Sequence, residues 1–155
     1  MPNIYFLFGK DEFAISRKLK DFESDFTDPA SADMNTARLD ARSMSETDLN
    51  TAVNAMPFLA KRRLLLLANP SSKYNNASSR KKFLEFIEKA PDTTRIAMYE
   101  SVEPRDAGKH WLVKWAEKNN KLIQTKAFML PKLRDMTGWI VNETKQQGGQ
   151  IEPRA

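Results

Sequence analysis

The chain has no cysteine, and that absence removes disulfides, thiolate nucleophiles and cysteine-ligated metal together. A single histidine, His110, leaves little for a histidine-built metal centre, so only carboxylate sites stay open for a cation. No run of 18 apolar residues is present and no basic-then-apolar leader precedes the first element, which excludes a membrane-spanning helix and a visible export signal. A cytoplasmic protein is the default expectation. Neither G-x-S-x-G nor H-E-x-x-H occurs, and there is no internal repeat or low-complexity tract.

What is present is an ordinary globular composition. The 155 residues, 41% apolar and 29% charged, suffice for one medium domain with its own core. A net charge of +5 is a mild bias towards acidic partners, nucleic acid included, but it is spread along the chain.

Strand and helix patterns alternate. Asn3–Gly9 reads as a short buried strand stopped by glycine, and the following residues place Ile15, Leu19, Phe22 and Phe26 on one helical face. Met34–Asp40 is a weaker strand. Ser45 and Asp48 then open a helix with Leu49, Ala52, Val53 and Met56 as its apolar positions, ended by Pro57. Leu64–Leu67 is a third strand, and after a polar loop a helix over 80–90 carries Phe83, Phe86, Ile87 and Ala90. A fourth strand spans Thr93–Ser101. One helix from Asp106 to Asn119 follows, with Trp111, Leu112, Trp115 and Ala116 inward, and then a fifth strand over 121–127. A last helix starts at Pro131, carries Leu133, Met136 and Ile140, and breaks at Gly148 and Gly149. Continuous apolar strands between amphipathic helices predict an α/β fold, a five-stranded, largely parallel sheet with helices on both faces. Pro153 could open a further helix just before the last residue, as in a piece of something longer.

Ligands of such sheets sit where strands end and helices begin. After the first strand, Gly9 and Ser16 stand at the outer positions of a G-x-x-x-x-G-K-[ST] template, but Ala14 replaces the second glycine and Ile15 the phosphate-binding lysine. The third strand ends in Ala68 and Asn69, where an ATPase needs a magnesium-binding acid. Both charged groups of a nucleotide site are thus missing. Asn69 is also unable to take the phosphate of a receiver domain. His110 reads as a helix-surface residue, and the pairs Asp11/Glu12 and Glu100/Glu103 are too ordinary to nominate as acid and base. The runs Lys61–Arg63 and Arg80–Lys82 read as solvated faces or as phosphate contacts.

The stretch Asn54–Pro70, NAMPFLAKRRLLLLANP, holds a second apolar cluster, Met56, Pro57, Phe58 and Leu59, that proline separates from helix and strand alike. Large apolar residues are mostly buried, so on residue type alone Phe58 and Leu59 plug the bottom of the sheet. The whole pattern changes that reading. IYFLFGKDEF, AMPFLAKRRLLLLAN, KAPDTTRIAMYES and the closing GGQIEPRA together resemble the N-terminal part of the delta subunit of the bacterial DNA polymerase III clamp loader. The most specific pieces are Gly-x-Asp-x-Phe after the first strand, Gly9–Phe13, and Pro-Phe-Leu directly before a basic-led apolar strand.

The resemblance implies a AAA+-type, P-loop-derived domain over residues 1–129 without a working nucleotide site, and the start of a lid domain over 130–155, with the collar domain absent. It implies a non-catalytic module, with no cofactor, that binds the beta sliding clamp and helps open the ring. By position, Phe58 and Leu59 would enter a hydrophobic pocket on the clamp, supported by Met56 and Pro57. Other loader subunits would be partners of the full-length protein, and Lys61, Arg62 and Arg63 could meet primer-template DNA. The competing reading is a diverged ATP-binding or nucleic-acid-processing α/β protein.

Overall fold

Ile4–Phe8 (β1) is buried at all five positions, as an unbroken apolar run must be when both faces of its sheet are covered. The computed structural model describes residues 2–131. The elements that follow β1 are α1 (Glu12–Phe26), α2 (Ala32–Asn35), β2 (Thr36–Asp40), α3 (Glu46–Asn54), β3 (Arg63–Ala68) and α4 (Pro70–Lys73). Then come α5 (Ala77–Glu88), β4 (Thr94–Glu100), a 3-10 turn (Pro104–Lys109), α6 (Trp111–Lys118) and β5 (Ile123–Ala127). The five strands lie in the order β2-β3-β4-β1-β5. All four neighbouring pairs are parallel, with Ile4 opposite Ile96 and Ile123, and Leu65 opposite Ile96.

Strand order dictates the layers. The step from β1 to β2 crosses the sheet in one direction and every later step returns in the other, so crossovers of a single hand put α1 on one face and α3, α5 and α6 on the opposite face. The two hydrophobic clusters follow. Tyr5, Leu7, Leu64, Leu66 and Ala97 pack under Ile15, Leu19, Phe22 and Phe26 of α1. Ile4, Phe6, Leu65, Leu67, Ile96 and Met98 pack under Leu49, Val53, Phe83, Ile87 and Leu112. Each such side chain, fully buried, contributes roughly 1.5–3 kcal/mol.

The elements depart from expectation where local hydrogen bonding overrides apolar spacing. Asn76 and Ser79 form a reciprocal capping box, so α5 begins at Ala77 rather than Arg80, and Pro70 starts a short helix inside the expected polar loop. The helix expected over 106–119 is a 3-10 turn and a separate α6. His110 leaves the helical path at ψ 135, and its Nδ1 accepts the Leu112 N–H at 3.1 Å as the cap of α6. Trp111 and Trp115 are only half-buried, whereas Leu112 and Ala116 are fully inside. Helix α3 ends at Asn54, so Met56 is not on its inner face. The helix expected from Pro131, with the start of a lid over 130–155, lies outside the described residues from 132 onward.

Candidate partner-binding site

At the N-terminal edge of the sheet, the chain between α3 and β3 carries three exposed apolar side chains: Met56 at 78%, Phe58 at 48% and Leu59 at 84% exposure. They do not plug the sheet. The stem on one side is fixed where buried Thr94 donates its hydroxyl to the Val53 carbonyl at 2.8 Å, and on the other where the Arg63 N–H donates to Thr93 at 2.7 Å. Between them, Pro57 fixes one φ angle. The decisive clamp comes from Asn35, which is fully buried. Its Oδ1 accepts the Phe58 N–H at 2.6 Å and its Nδ2 donates to the Phe58 carbonyl at 2.8 Å, while the same Nδ2 reaches the Ser31 carbonyl and Oγ at 3.2 Å. One amide thus holds both polar groups of the Phe58 backbone, and the turn presents its side chains in a fixed direction.

Leu59 adds a second unfavourable feature, a left-handed backbone with φ of 50°. For an L-residue with a side chain this conformation costs about 1–2 kcal/mol. A strained and exposed leucine contributes little to folding.

Asn35 had no signal in the sequence, because a polar residue at a strand entry is indistinguishable from a solvated one. Asn35→Ala should leave Phe58 N–H and C=O without partners and lower stability by about 1–3 kcal/mol. Amide hydrogen exchange at Phe58 should then accelerate selectively. Unchanged protection there would show that Asn35 does not hold the turn.

The basic run after the turn is split. Arg62 shares the face of Leu64 and Leu66, towards α1, whereas Arg63 shares that of Leu65, since adjacent strand residues alternate. Arg63 also turns back, its Nη1 donating to the Met34 carbonyl at 3.1 Å, while Lys61 and Arg62 are exposed. The three cations are not brought onto one surface.

The crevice at the opposite edge is where the strand order reverses, between the C-terminal ends of β1 and β4. A cavity of about 350 Å³ lies there, lined among others by Glu12, Ile15, Arg42, Asn69, Tyr99 and Glu100. Asp11 caps α1, accepting the Ala14 N–H at 3.0 Å, which is the local reason for the aspartate in Gly-x-Asp-x-Phe. Asn69, at φ of 57°, donates to Asp40 at 3.3 Å. Asp40 is gripped by Arg42 at 2.6 and 3.0 Å, and that hydrogen bonding, with the Asn69 amide assisting, holds its carboxyl down at about 2.

Beside this crevice His110 is buried against Glu100, with Nε2 to Oε2 at 2.6 Å, and is not a surface residue. The Ser71 hydroxyl donates to the same Oε2 at 2.6 Å and itself accepts the Trp111 Nε1–H at 2.8 Å. Burial raises the Glu100 pKa, but the hydrogen bonds from His110 and Ser71 outweigh it and the net displacement is downward. Serine, histidine and glutamate together suggest a nucleophilic triad, yet serine and glutamate share one imidazole nitrogen while the other is occupied by the Leu112 backbone. No base is free to activate the serine. This cluster is a structural joint between β4, α4 and α6. Among the described residues, no group of three or more His, Asp or Glu could hold a metal ion, and no helix is long and apolar enough to cross a membrane.

The fold and both edges can now be set against known proteins. The family model for the DNA polymerase III delta subunit matches residues 5–126. The chain belongs to that family. The match takes in both the crevice with Ile15 and Asn69 and the turn that presents Phe58 and Leu59. Among solved structures, the Bacillus subtilis DNA clamp loader delta protein YqeN is similar in fold, with a TM-score of 0.69 over 97% of this chain at 16% identity. The chain spans 45% of the length of that structure. Comparison with curated protein sequences gives no match.

Proposed function

We propose that this chain is a non-catalytic clamp-loader module that binds the beta sliding clamp through Phe58 and Leu59 and helps open the ring for loading onto primed DNA. The observation that carries this reading is the exposed apolar turn, strained at Leu59 and clamped by a buried asparagine, in a member of the delta-subunit family. Exposure and strain both disfavour the free chain, so they are intelligible as features kept for binding. Met56 flanks the pair as further apolar surface, and Pro57 limits the turn's freedom before binding, which reduces the entropy lost on association. The clamp-binding module is the AAA+-like unit of residues 1–129, and 130–155 begin the lid, with the collar domain of the full-length protein joining the other loader subunits. The setting is cytoplasmic replication. Binding to the purified clamp, with and without serine at both positions, tests the site.

The competing reading, an ATP-binding protein, is weighed by the crevice. Ile15 and Asn69 stand where a triphosphate would need a lysine and a magnesium-binding acid, and Glu12 and Glu100 on its lining would repel phosphate. Calorimetry with Mg-ATP should therefore give no saturable heat at micromolar concentrations. A micromolar isotherm would reinstate the nucleotide reading.

A further inference from the structure

A second cavity, of about 340 Å³, runs between α1 and the β1–β5 side of the sheet. Its floor is aromatic, with Tyr5, Phe22 and Phe26, and its rim carries Lys18, Arg62 and Lys126 against a single carboxylate, Asp25. Among the described residues none of these three cations forms an ion pair. Lys18 lies over the Phe22 ring and Lys126 over the Phe128 ring, both at 5.2 Å, so aromatic faces are their partners.

Behind the floor stands Arg95, two residues before Ala97 on β4 and so on the same face of the sheet. It is 6% exposed, its Nε has no hydrogen-bond partner, and its Nη1 reaches only the Asp92 carbonyl at 2.7 Å. Burial lowers its pKa, and the like charge of Arg62 lowers it further. A buried guanidinium short of one partner and facing another cation is unfavourable in the free protein. Arg95 does not line the cavity, but its charge adds to the positive potential behind the floor.

This cavity is continuous with the proposed clamp-binding turn. Asp25, Phe26 and Arg62 line it and also line a neighbouring cavity of about 550 Å³, whose remaining lining is Thr27, Asp28, Leu59, Ala60 and Lys61. A groove therefore leads from Leu59 along α1 to Lys18 and Lys126. We infer that this groove takes an acidic, partly apolar segment of the same clamp that receives Phe58 and Leu59, its carboxylates meeting Arg62, Lys18 and Lys126 and its apolar side chains the aromatic floor. A nucleic-acid backbone fits less well, because it needs an open basic stripe, whereas this groove is concave, holds Asp25 and Asp28 beside its four cations, and adjoins exposed Leu59. The inference rests on the clamp-binding reading above, and its test separates the two.

Clamp affinity of the 155-residue chain is measured at about 50 mM and about 500 mM salt for the unaltered protein, for Lys18→Glu with Lys126→Glu, and for Phe58→Ser with Leu59→Ser. Charge reversal should weaken binding about tenfold or more at low salt, with the gap closing at high salt and the melting temperature unchanged. The serine pair should weaken binding at both. Unaltered affinity after charge reversal, with loss in the serine pair, overturns the groove and leaves the turn standing. Loss on charge reversal alone keeps the groove and removes the turn, and no loss in either removes both. If charge reversal abolishes binding of an oligonucleotide and spares the clamp, the groove is a nucleic-acid surface instead. A further variant, Arg95→Met, should melt no lower than the unaltered protein while binding the clamp more weakly. A fall of more than about 5 °C would make Arg95 a structural strut and overturn its part in the groove.

Discussion

Replacing Phe58 and Leu59 together by serine is expected to weaken binding to the sliding clamp by about two to four decades while lowering the melting temperature by no more than a few degrees. The first figure follows from burial: each such side chain seated in a pocket contributes roughly 1.5–3 kcal/mol, and each 1.4 kcal/mol is about a factor of ten. The second follows from the free structure. Leu59 is 84% exposed and strained, so its removal takes almost nothing from the core, and Phe58 at 48% loses only the half that is packed. For a domain of this size about 1 kcal/mol shifts the melting temperature by roughly 2–4 °C. Binding and thermal unfolding measured side by side decide the matter. Unchanged affinity, or a fall of more than about 10 °C, would mean that these side chains serve the fold and not a partner.

Gly9→Ala should have the largest effect on stability. Gly9 has φ of 136°, a conformation that side chains rarely adopt, and a Cβ there would overlap the Phe128 carbonyl, standing 2.6 Å from its carbon. That backbone cannot retreat without cost. Phe128 donates its N–H to the Phe8 carbonyl at 2.7 Å and accepts the Asp11 N–H at 2.9 Å, while the Gly9 N–H and C=O bond to Glu100 and Val102 at 3.4 and 3.3 Å. The strand-to-helix turn after β1 and the exit from β5 are therefore one hydrogen-bonded unit, and forcing them apart should cost about 3–5 kcal/mol. The melting temperature should fall by roughly 6–20 °C. Gly108 provides the control, since a Cβ at that position meets nothing within 4 Å, and Gly108→Ala should melt within about 2 °C of the unaltered protein. Equal behaviour of the two variants would show that the close approach at Gly9 is not a constraint.

The same Gly9 would read, from sequence alone, as the start of a failed phosphate loop, and structure shows a second, purely steric reason for it.

Periodicity was sufficient for the alternating strands and helices, for the two-sided burial of β1, β3 and β4, and for the inner face of α1, because apolar spacing reports directly on which faces must be covered. Ile15 and Asn69, standing where a nucleotide site would need a lysine and an acid, were equally legible, since residue type is read directly from the sequence. What sequence could not decide depended on contacts between distant segments. Asn35 and Phe58 are 23 residues apart, and only tertiary packing sets the amide of one against the backbone of the other. Arg62 and Arg63 look like one patch as letters and point to opposite faces once β3 forms. His110 reads as a surface residue until the end of β4 brings Glu100 to 2.6 Å and turns it into a buried cap. Arg95, the second residue of an apolar strand, reveals a buried Nε without a partner only when α1 closes over that face. Residue type and spacing determine which surfaces are buried, because that depends on local pattern; hydrogen-bond partners and the direction in which a turn presents its side chains were decided by the tertiary structure, because both require groups far apart in the chain to meet.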